Sequence, residues 1–217
     1  MSTEDPAPGA PDETPSAPPS AVARRIGRAG SYSKGIARRQ EILDRAIEVF
    51  RARGADGTSL RRIAESIGIS HGALLHYFSS REELLVAVYE HAENRPDPGR
   101  GDRSQERSVD VMANAALANL EVPGLVQLYS TLVATALEVE SGPAKEYFTA
   151  RFERVRENLE RKLREDQEAG LVRSDIDPAR TAALVVAASD GLQIQWLLEP
   201  SIALKETLET FAVLLAP

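Results

Sequence analysis

TSLRRIAESIGISHGALLHYFSSREELLVAVYE, residues 58–90, is the stretch on which the reading of the fold turns. Thr58 or Ser59 can cap a helix, because either hydroxyl can accept from an unpaired N–H of the opening turn. Leu60-Arg61-Arg62-Ile63-Ala64-Glu65-Ser66-Ile67 follows as a short helix, which Gly68 ends. Ser70 caps a second short helix through Phe78. Ser79-Ser80 cap a third, with Arg81, Glu82 and Glu83 in its first turn and Leu84, Leu85, Val88 and Tyr89 in one stripe. Two short helices joined by a tight Gly68-Ile69 link have the pattern of a helix-turn-helix. Ile63, Ala64, Ile67, Ile69, Leu74 and Phe78 are the expected glue onto a preceding helix, whose Ile42/Leu43, Ala46/Ile47 and Phe50 recur at three- and four-residue steps. That helix is expected to begin at Gly35 and to stop at Gly54 and Gly57.

The helix after Gly68 would then expose Ser70, His71, Gly72, Ala73, Leu75, His76 and Tyr77. A helix of this size fits the major groove of DNA with its N-terminal residues nearest the base edges. Its N-terminus also favours phosphate, through unpaired N–H groups and the helix dipole. A two-helix corner is common in helical proteins, so topology alone leaves DNA binding open. The charge distribution adds to it. The 217 residues carry a formal charge of −7, yet residues 24–62 hold 11 bases and 4 acids. A basic block inside an acidic chain suits a polyanion-binding surface, although a solvated helix face has the same composition.

Outward from this core the chain is simpler. Residues 1–34 are expected to be an acidic, Pro-rich disordered tail followed by a basic arm. Pro6, Pro8, Pro11, Pro15, Pro18 and Pro19 leave residues 1–20 too little apolar surface to offset ordering entropy. Arg24, Arg25, Arg28 and Lys34 can follow a groove or phosphates as a flexible arm, or have no defined site. Residues 35–80 are the expected helix-turn-helix domain and residues 81–217 a second, helical domain, with a hinge at Pro96, Pro98, Gly99 and Gly101. Five further helices are expected at about 104–120, 124–140, 143–169, 178–198 and 202–215, and no segment alternates long enough to make a strand. The fold class is therefore all-α, with about nine helices.

There is no cysteine, which excludes disulfides, Cys-ligated zinc, iron–sulfur clusters and a thiol nucleophile. His71 and His76 are five apart, poorly spaced for one metal, and no metal or cofactor is expected. His91 reads as a helix-end or surface residue. No Ser-His-Asp arrangement is legible, so an enzyme is not expected. No apolar run reads as a membrane span or signal peptide, which leads to the expectation of a soluble, cytoplasmic protein.

Gly54, Thr58-Ser59, Ile63-Ala64, Gly68-Ile69-Ser70, His76-Tyr77-Phe78 and Ser80-Arg81-Glu82-Glu83-Leu84 together resemble the DNA-binding domain of the tetracycline-repressor (TetR) family, over about residues 38–90. The resemblance implies a homodimeric regulator of transcription that binds a double-stranded DNA operator, with a C-terminal helical domain that binds a small-molecule effector and dimerises. Carried onto this chain, it places Thr58, Ser59, Arg61, Ser70, His71, Gly72, Ala73, Leu75, His76, Tyr77 and Arg81 at the DNA. Tyr77 can hydrogen-bond phosphate or merely pack, and Arg61 can contact DNA or be solvated helix charge. Leu75 stands where the family usually has Tyr, so it either packs on a thymine methyl or adds nothing to readout. Arg81 replaces the usual Lys, and either cation can hold phosphate.

The helix at 178–198 is apolar nearly all round, and such a helix needs cover on both sides. Its own core and a partner subunit are the expected cover, with 202–215 as second interface helix and Leu192 and Trp196 as candidate contacts. Met112, Leu117, Tyr129, Leu132, Val133, Leu137, Phe148, Phe152, Gln193 and Trp196 are candidates to line an effector pocket or simply to form core. No charged side chain stands out within the apolar faces, so the expected effector is apolar or weakly polar. The rival reading is a helical dimerisation or adaptor protein without specific DNA binding, which the basic block speaks against. Truncation to Ala21 is expected to leave melting temperature and operator affinity unchanged, as checked by thermal denaturation and mobility shift.

Overall fold

The computed structural model describes residues 26–53, 60–95, 106–120 and 122–217. Among the described residues there are nine α-helices and no strand. They are α1 (Ile26–Arg53), α2 (Leu60–Ser66), α3 (His71–Tyr77), α4 (Arg81–Glu93), α5 (Ser108–Leu120), α6 (Pro123–Glu138), α7 (Pro143–Glu168), α8 (Pro178–Leu198) and α9 (Leu204–Leu214). The expected tail 1–20, Arg24 and Arg25, the caps Thr58 and Ser59, and the hinge at 96–101 lie outside the described residues. The chain divides into two compact units, Met1–Arg38 and Arg39–Pro217, and the second holds α2 to α9 with the C-terminal half of α1.

One boundary differs clearly from expectation. Helix α1 begins at Ile26, not Gly35, so much of the expected flexible arm is helical. Gly27, Gly30 and Gly35 each cost a helix only about 1 kcal/mol relative to alanine, and no proline interrupts the run.

The α2–α3 corner follows from local hydrogen bonding. Gly68 has φ 73°. Its N–H donates to the Glu65 carbonyl at 3.2 Å, and the Ile69 N–H donates to the Ala64 carbonyl at 3.0 Å. This pair of bonds is the Schellman ending, which satisfies carbonyls a helix otherwise leaves open. Arg45 of α1 donates from Nη1 to the Ile67 carbonyl at 3.0 Å, tying the turn to the first helix. Ser70 then opens α3, its hydroxyl accepting from the Ala73 N–H at 3.1 Å. Ile63, Leu74 and Phe78 are fully buried with Ile42, Ala46, Ile47 and Phe50 of α1. The Arg39 guanidinium lies 4.7 Å over the Phe78 ring and covers that core from outside.

Ser80 caps α4, accepting from the Glu83 N–H at 3.0 Å. Glu83 reaches back to accept from the Ser79 N–H at 2.7 Å and the Ser79 hydroxyl at 2.6 Å. The hydrogen bond from the Ser79 hydroxyl is the main reason its carboxyl titrates below the usual glutamate range. Every residue from Leu84 to Tyr89 is buried. A continuous core therefore runs from Ile42 through α4 to Leu128, Leu132 and Phe148. Two smaller clusters finish the interior. Leu159, Leu163, Val172, Val185 and Val186 form one, and Ala113, Ala116, Leu204 and Leu208 the other.

Helix α8 departs from expectation in three ways. It is long and apolar enough, by length and mean hydropathy, to cross a membrane, where no such run was anticipated. Yet it packs among helices through Thr181, Ala182, Val185 and Val186, and carries Asp190. Trp196 turns inward against Leu204 and Leu208, and Leu192 packs there too while also lining the groove between α8 and α9. The outward side is bare instead, with Leu184 67% and Leu198 84% exposed, beside Val213 of α9 at 77%. Leu74→Ala removes a fully buried side chain from the corner. It is expected to cost about 2–5 kcal/mol of unfolding free energy, read by urea denaturation.

Candidate functional site

Two places in the fold hold chemistry, and the first is the outer face of α3. His71, Gly72, Leu75 and His76 are exposed there. Leu75 is a large apolar side chain 42% exposed on a short helix whose other apolar residues are sheltered. Ala73 and Tyr77 are half-buried, and the Tyr77 ring meets His76 edge-on at 5.5 Å. The Ser70 hydroxyl is already engaged as acceptor of the Ala73 N–H, which leaves its own proton to donate. Arg61 lies on the exposed side of α2, paired with Glu65 at 3.1 Å. Arg81 is exposed at the start of α4, directly after this face. No added Cβ at Gly72 would meet another atom within 4 Å, so the helix could carry a side chain there. Leaving it bare lets a ligand approach the backbone closely. The exposed face is thus a platform of short side chains with two imidazoles and one leucyl group.

The second place is a polar cluster among aromatic rings where α4, α6, α7 and α8 meet. Tyr89, Tyr129 and Phe148 are buried, and Tyr147 and Phe152 half-buried. Their rings contact one another with centroids 5.1–6.4 Å apart. The Arg151 guanidinium sits over Tyr89, Tyr129 and Phe152, at 5.7, 5.3 and 5.9 Å. Arg151 Nε donates to Glu93 Oε1 at 2.6 Å, and the Tyr147 hydroxyl donates to Glu93 Oε2 at 2.9 Å. Asp190 of α8 has the Tyr129 hydroxyl as hydrogen-bond partner, with Arg151 as the nearby cation. Burial raises the Asp190 pKa, and these two contacts offset that only in part. Burial likewise pushes the three tyrosine hydroxyls well above their ordinary value, keeping them neutral.

This cluster overturns the expectation that the apolar faces hold no charge. The signal was present only weakly, because Arg151 and Asp190 look like ordinary polar positions of amphipathic helices. Their inward direction depends on how α7 and α8 are rotated. The anticipated pocket residues divide accordingly. Tyr129, Leu132, Val133, Phe148 and Phe152 lie together in the main core. Trp196 belongs to the α5–α9 cluster instead. Gln193 is buried, its amide donating to the Ser189 carbonyl at 3.2 Å. Leu117 is half-buried on α5, Leu137 is 76% exposed, and the Met112 side chain lies outside the described residues. His91 sits in the last turn of α4, the helix-end position expected for it, and its Nε2 lies 2.9 Å from Asp44 Oδ1 of α1.

Comparison with known proteins bears on both places. The family described as bacterial regulatory proteins, tetR family, matches residues 42–88, and the BetI-type transcriptional repressor C-terminal family matches residues 129–213. The transcriptional repressor AcnR of Corynebacterium diphtheriae is 45% identical over 51 residues, which is 24% of this chain and 27% of that protein. The regulator PksA of Bacillus subtilis is 25% identical over 169 residues, covering 75% of this chain and 80% of that one. A TetR-family regulator of Rhodococcus sp. has the same fold, with TM-score 0.64 and 21% identity over 83% of this chain and 98% of that chain. A TetR regulator of Haloarcula marismortui aligns with TM-score 0.65 and 19% identity over 82% and 95% of the two chains.

Because the folded-state pKa of Asp190 is raised, its contribution to stability is present below the unfolded value and lost as pH rises through the folded value. Asp190→Asn is therefore expected to raise the melting temperature relative to the parent at pH 7 and to leave it nearly unchanged at pH 4. Thermal melts at the two pH values check this.

Proposed function

This chain belongs to the tetracycline-repressor (TetR) family of DNA-binding transcriptional regulators, and we propose that it is a dimeric, cytoplasmic repressor released from a palindromic operator by a small molecule. It is a regulator and not an enzyme. The observation that carries the reading is α3. This short helix is held by a Schellman turn and a serine cap, and it exposes His71, Gly72, Leu75 and His76 beyond its core contacts. Such a helix presents its N-terminal residues to base edges in the major groove.

The contacts divide by chemistry. In this reading Ser70, His71, Gly72 and Ala73 meet base edges, and Arg61, His76, Tyr77 and Arg81 meet phosphates, with Thr58 and Ser59, which lie outside the described residues, as further contacts. The exposure of Leu75 favours contact with a thymine methyl over a passive role. Phosphate contacts position the protein without reading sequence.

Dimerisation through α8 and α9 has support in the bare face they share. Ala187, Ala188, Gly191, Gln195, Thr210 and Leu214 line a shallow groove between the two helices. Leu184, Leu198 and Val213 stand exposed beside it. Small residues let a second pair of helices approach closely, and a two-fold axis would cover both copies at once. The rival adaptor reading has nothing comparable at α3 in its favour.

Mobility shift with DNA upstream of the chain's own gene tests the proposal, and absence of any shifted complex would end it. Arg81→Ala is expected to weaken all sequences alike and to lower the salt slope by about one unit per half-site. His71→Ala is expected to relax preference at one position per half-site, at about 1–3 kcal/mol for that base pair, as measured by operator selection. A Cβ at Gly191 meets nothing within 4 Å, so the side chain of Gly191→Arg starts from open space in the α8–α9 groove. The variant is expected to give a folded monomer by light scattering that no longer binds operator.

A further inference from the structure

We infer that Arg39 of α1 is a further phosphate-binding residue, a guanidinium held ready on the Phe78 ring where α3 passes into α4. The inference rests on the DNA-binding reading above and adds a contact from a helix outside the α2–α3 corner.

Three observations carry it. The first is position. Phe78 is the C-cap of α3 and Arg81 opens α4, so Phe78, Ser79 and Ser80 alone join the two helices. The Arg39 guanidinium stands 4.7 Å from the Phe78 ring centroid. Tyr77 and Arg81, read above as phosphate contacts, bracket this link, and Arg39 brings a second guanidinium to it. The second is how Arg39 is held. Phe78 is 1% exposed and packed in the main core, so its ring is a fixed base. Arg39 is half-buried, whereas Arg61 and Arg81 are exposed. A guanidinium over a ring has its place set by the flat face, while its N–H groups point from its edge toward any acceptor. Fixing so long a side chain beforehand removes ordering entropy that binding would otherwise cost. The third is what those N–H groups lack. Among the described residues no hydrogen bond or ion pair joins Arg39 to another side chain or carbonyl. Glu83 senses its charge, but the Ser79 hydroxyl is the larger cause of the lowered Glu83 pKa, and Oε2 is taken by Ser79. Glu82 is spent on the Ala144 N–H of α7 at 2.8 Å. Cover for Phe78 alone needs no charge, since an apolar side chain of this length would shield the ring as well. A positioned guanidinium with its donors unspent is suited to a phosphate oxygen.

The location gives the contact a use. Phosphate carries no base identity, so Arg39 adds affinity and orientation without adding preference. Arg39 belongs to α1 and Arg81 to α4, two helices that share the core beneath α3. A backbone gripped from both fixes the angle at which α3 enters the groove, which a single grip leaves free to rotate.

The full chain is titrated with two duplexes, the DNA upstream of its own gene and an unrelated sequence of equal length, between about 50 and 200 mM salt. Arg39→Met keeps an apolar cover on Phe78 and removes the charge. Over that range the parent is expected to lose about tenfold more affinity than Arg39→Met, as two lost phosphate contacts per dimer require, and to do so on both duplexes. Base preference in operator selection is expected to stay that of the parent. Arg39→Lys restores the charge and is expected to recover the salt slope. Arg164→Met removes the same charge from an exposed position on α7 and is expected to keep the parent's slope. All slopes are read well below the melting temperature of each variant, so a small loss of stability does not enter them. An Arg39→Met protein with the parent's salt slope overturns the inference, and so does one with altered base preference. An Arg164→Met protein whose slope falls equally overturns it as well, because net charge then suffices. A parent that binds neither duplex ends the regulator reading. One that binds, with Arg39→Met matching its slope, keeps that reading and loses only the Arg39 contact.

Discussion

Helix α4 can exist as it does only because other helices surround it. Six consecutive residues, Leu84 to Tyr89, are buried, and a helix has no dry face unless a neighbour provides one. Helix α1 and the α2–α3 corner cover one side, and α6 and α7 the other. The helix-turn-helix corner and the helices around the polar cluster thus share one hydrophobic core within Arg39–Pro217. Polar contacts fix both ends of α4. Glu82 accepts from the Ala144 N–H at the start of α7 at 2.8 Å, close enough that a Cβ at Gly142 would crowd it at 3.3 Å. At the other end Glu93 holds Tyr147 and Arg151, while His91 meets Asp44 of α1. A displacement of α7 has two polar routes to α4 besides the apolar packing.

The two chemical places are built on opposite principles. The α3 platform is held by backbone hydrogen bonds, the Ser70 cap and a fully buried apolar base, which leaves His71, Leu75 and His76 exposed. The cluster around Arg151 places charges in the interior, where desolvation opposes them. Its three tyrosines offset part of that cost by donating or by offering their ring faces. What remains is the raised pKa of Asp190.

The bare face of α8 and α9 is a third departure from a self-contained fold. Leucines 67% and 84% exposed sit on a helix whose opposite side is core. An apolar patch of this sort calls for cover, and small Ala187, Ala188 and Gly191 shape it to accept another helix.

Residues 58–90 determined the helix-turn-helix corner by themselves, because its causes are local. Gly68 is needed for the positive φ, Ser70 and Ser80 for the caps, and the spacing of Ile63, Leu74 and Phe78 for the base. The number of helices and the bounds of α8 were legible for the same reason, since periodicity, prolines and caps act within a few residues. The start of α1 was not, because three glycines weaken a helix without stopping it. The direction of Leu192, Trp196, Arg151 and Asp190 was decided only by the tertiary structure. Each lies on a helix whose composition permits either orientation, and the packing of α5, α7 and α9 sets the rotation. Charged residues within an amphipathic pattern read as solvent-facing until neighbouring helices close over them, so the cluster around Arg151 exists only once the long-range contacts are made.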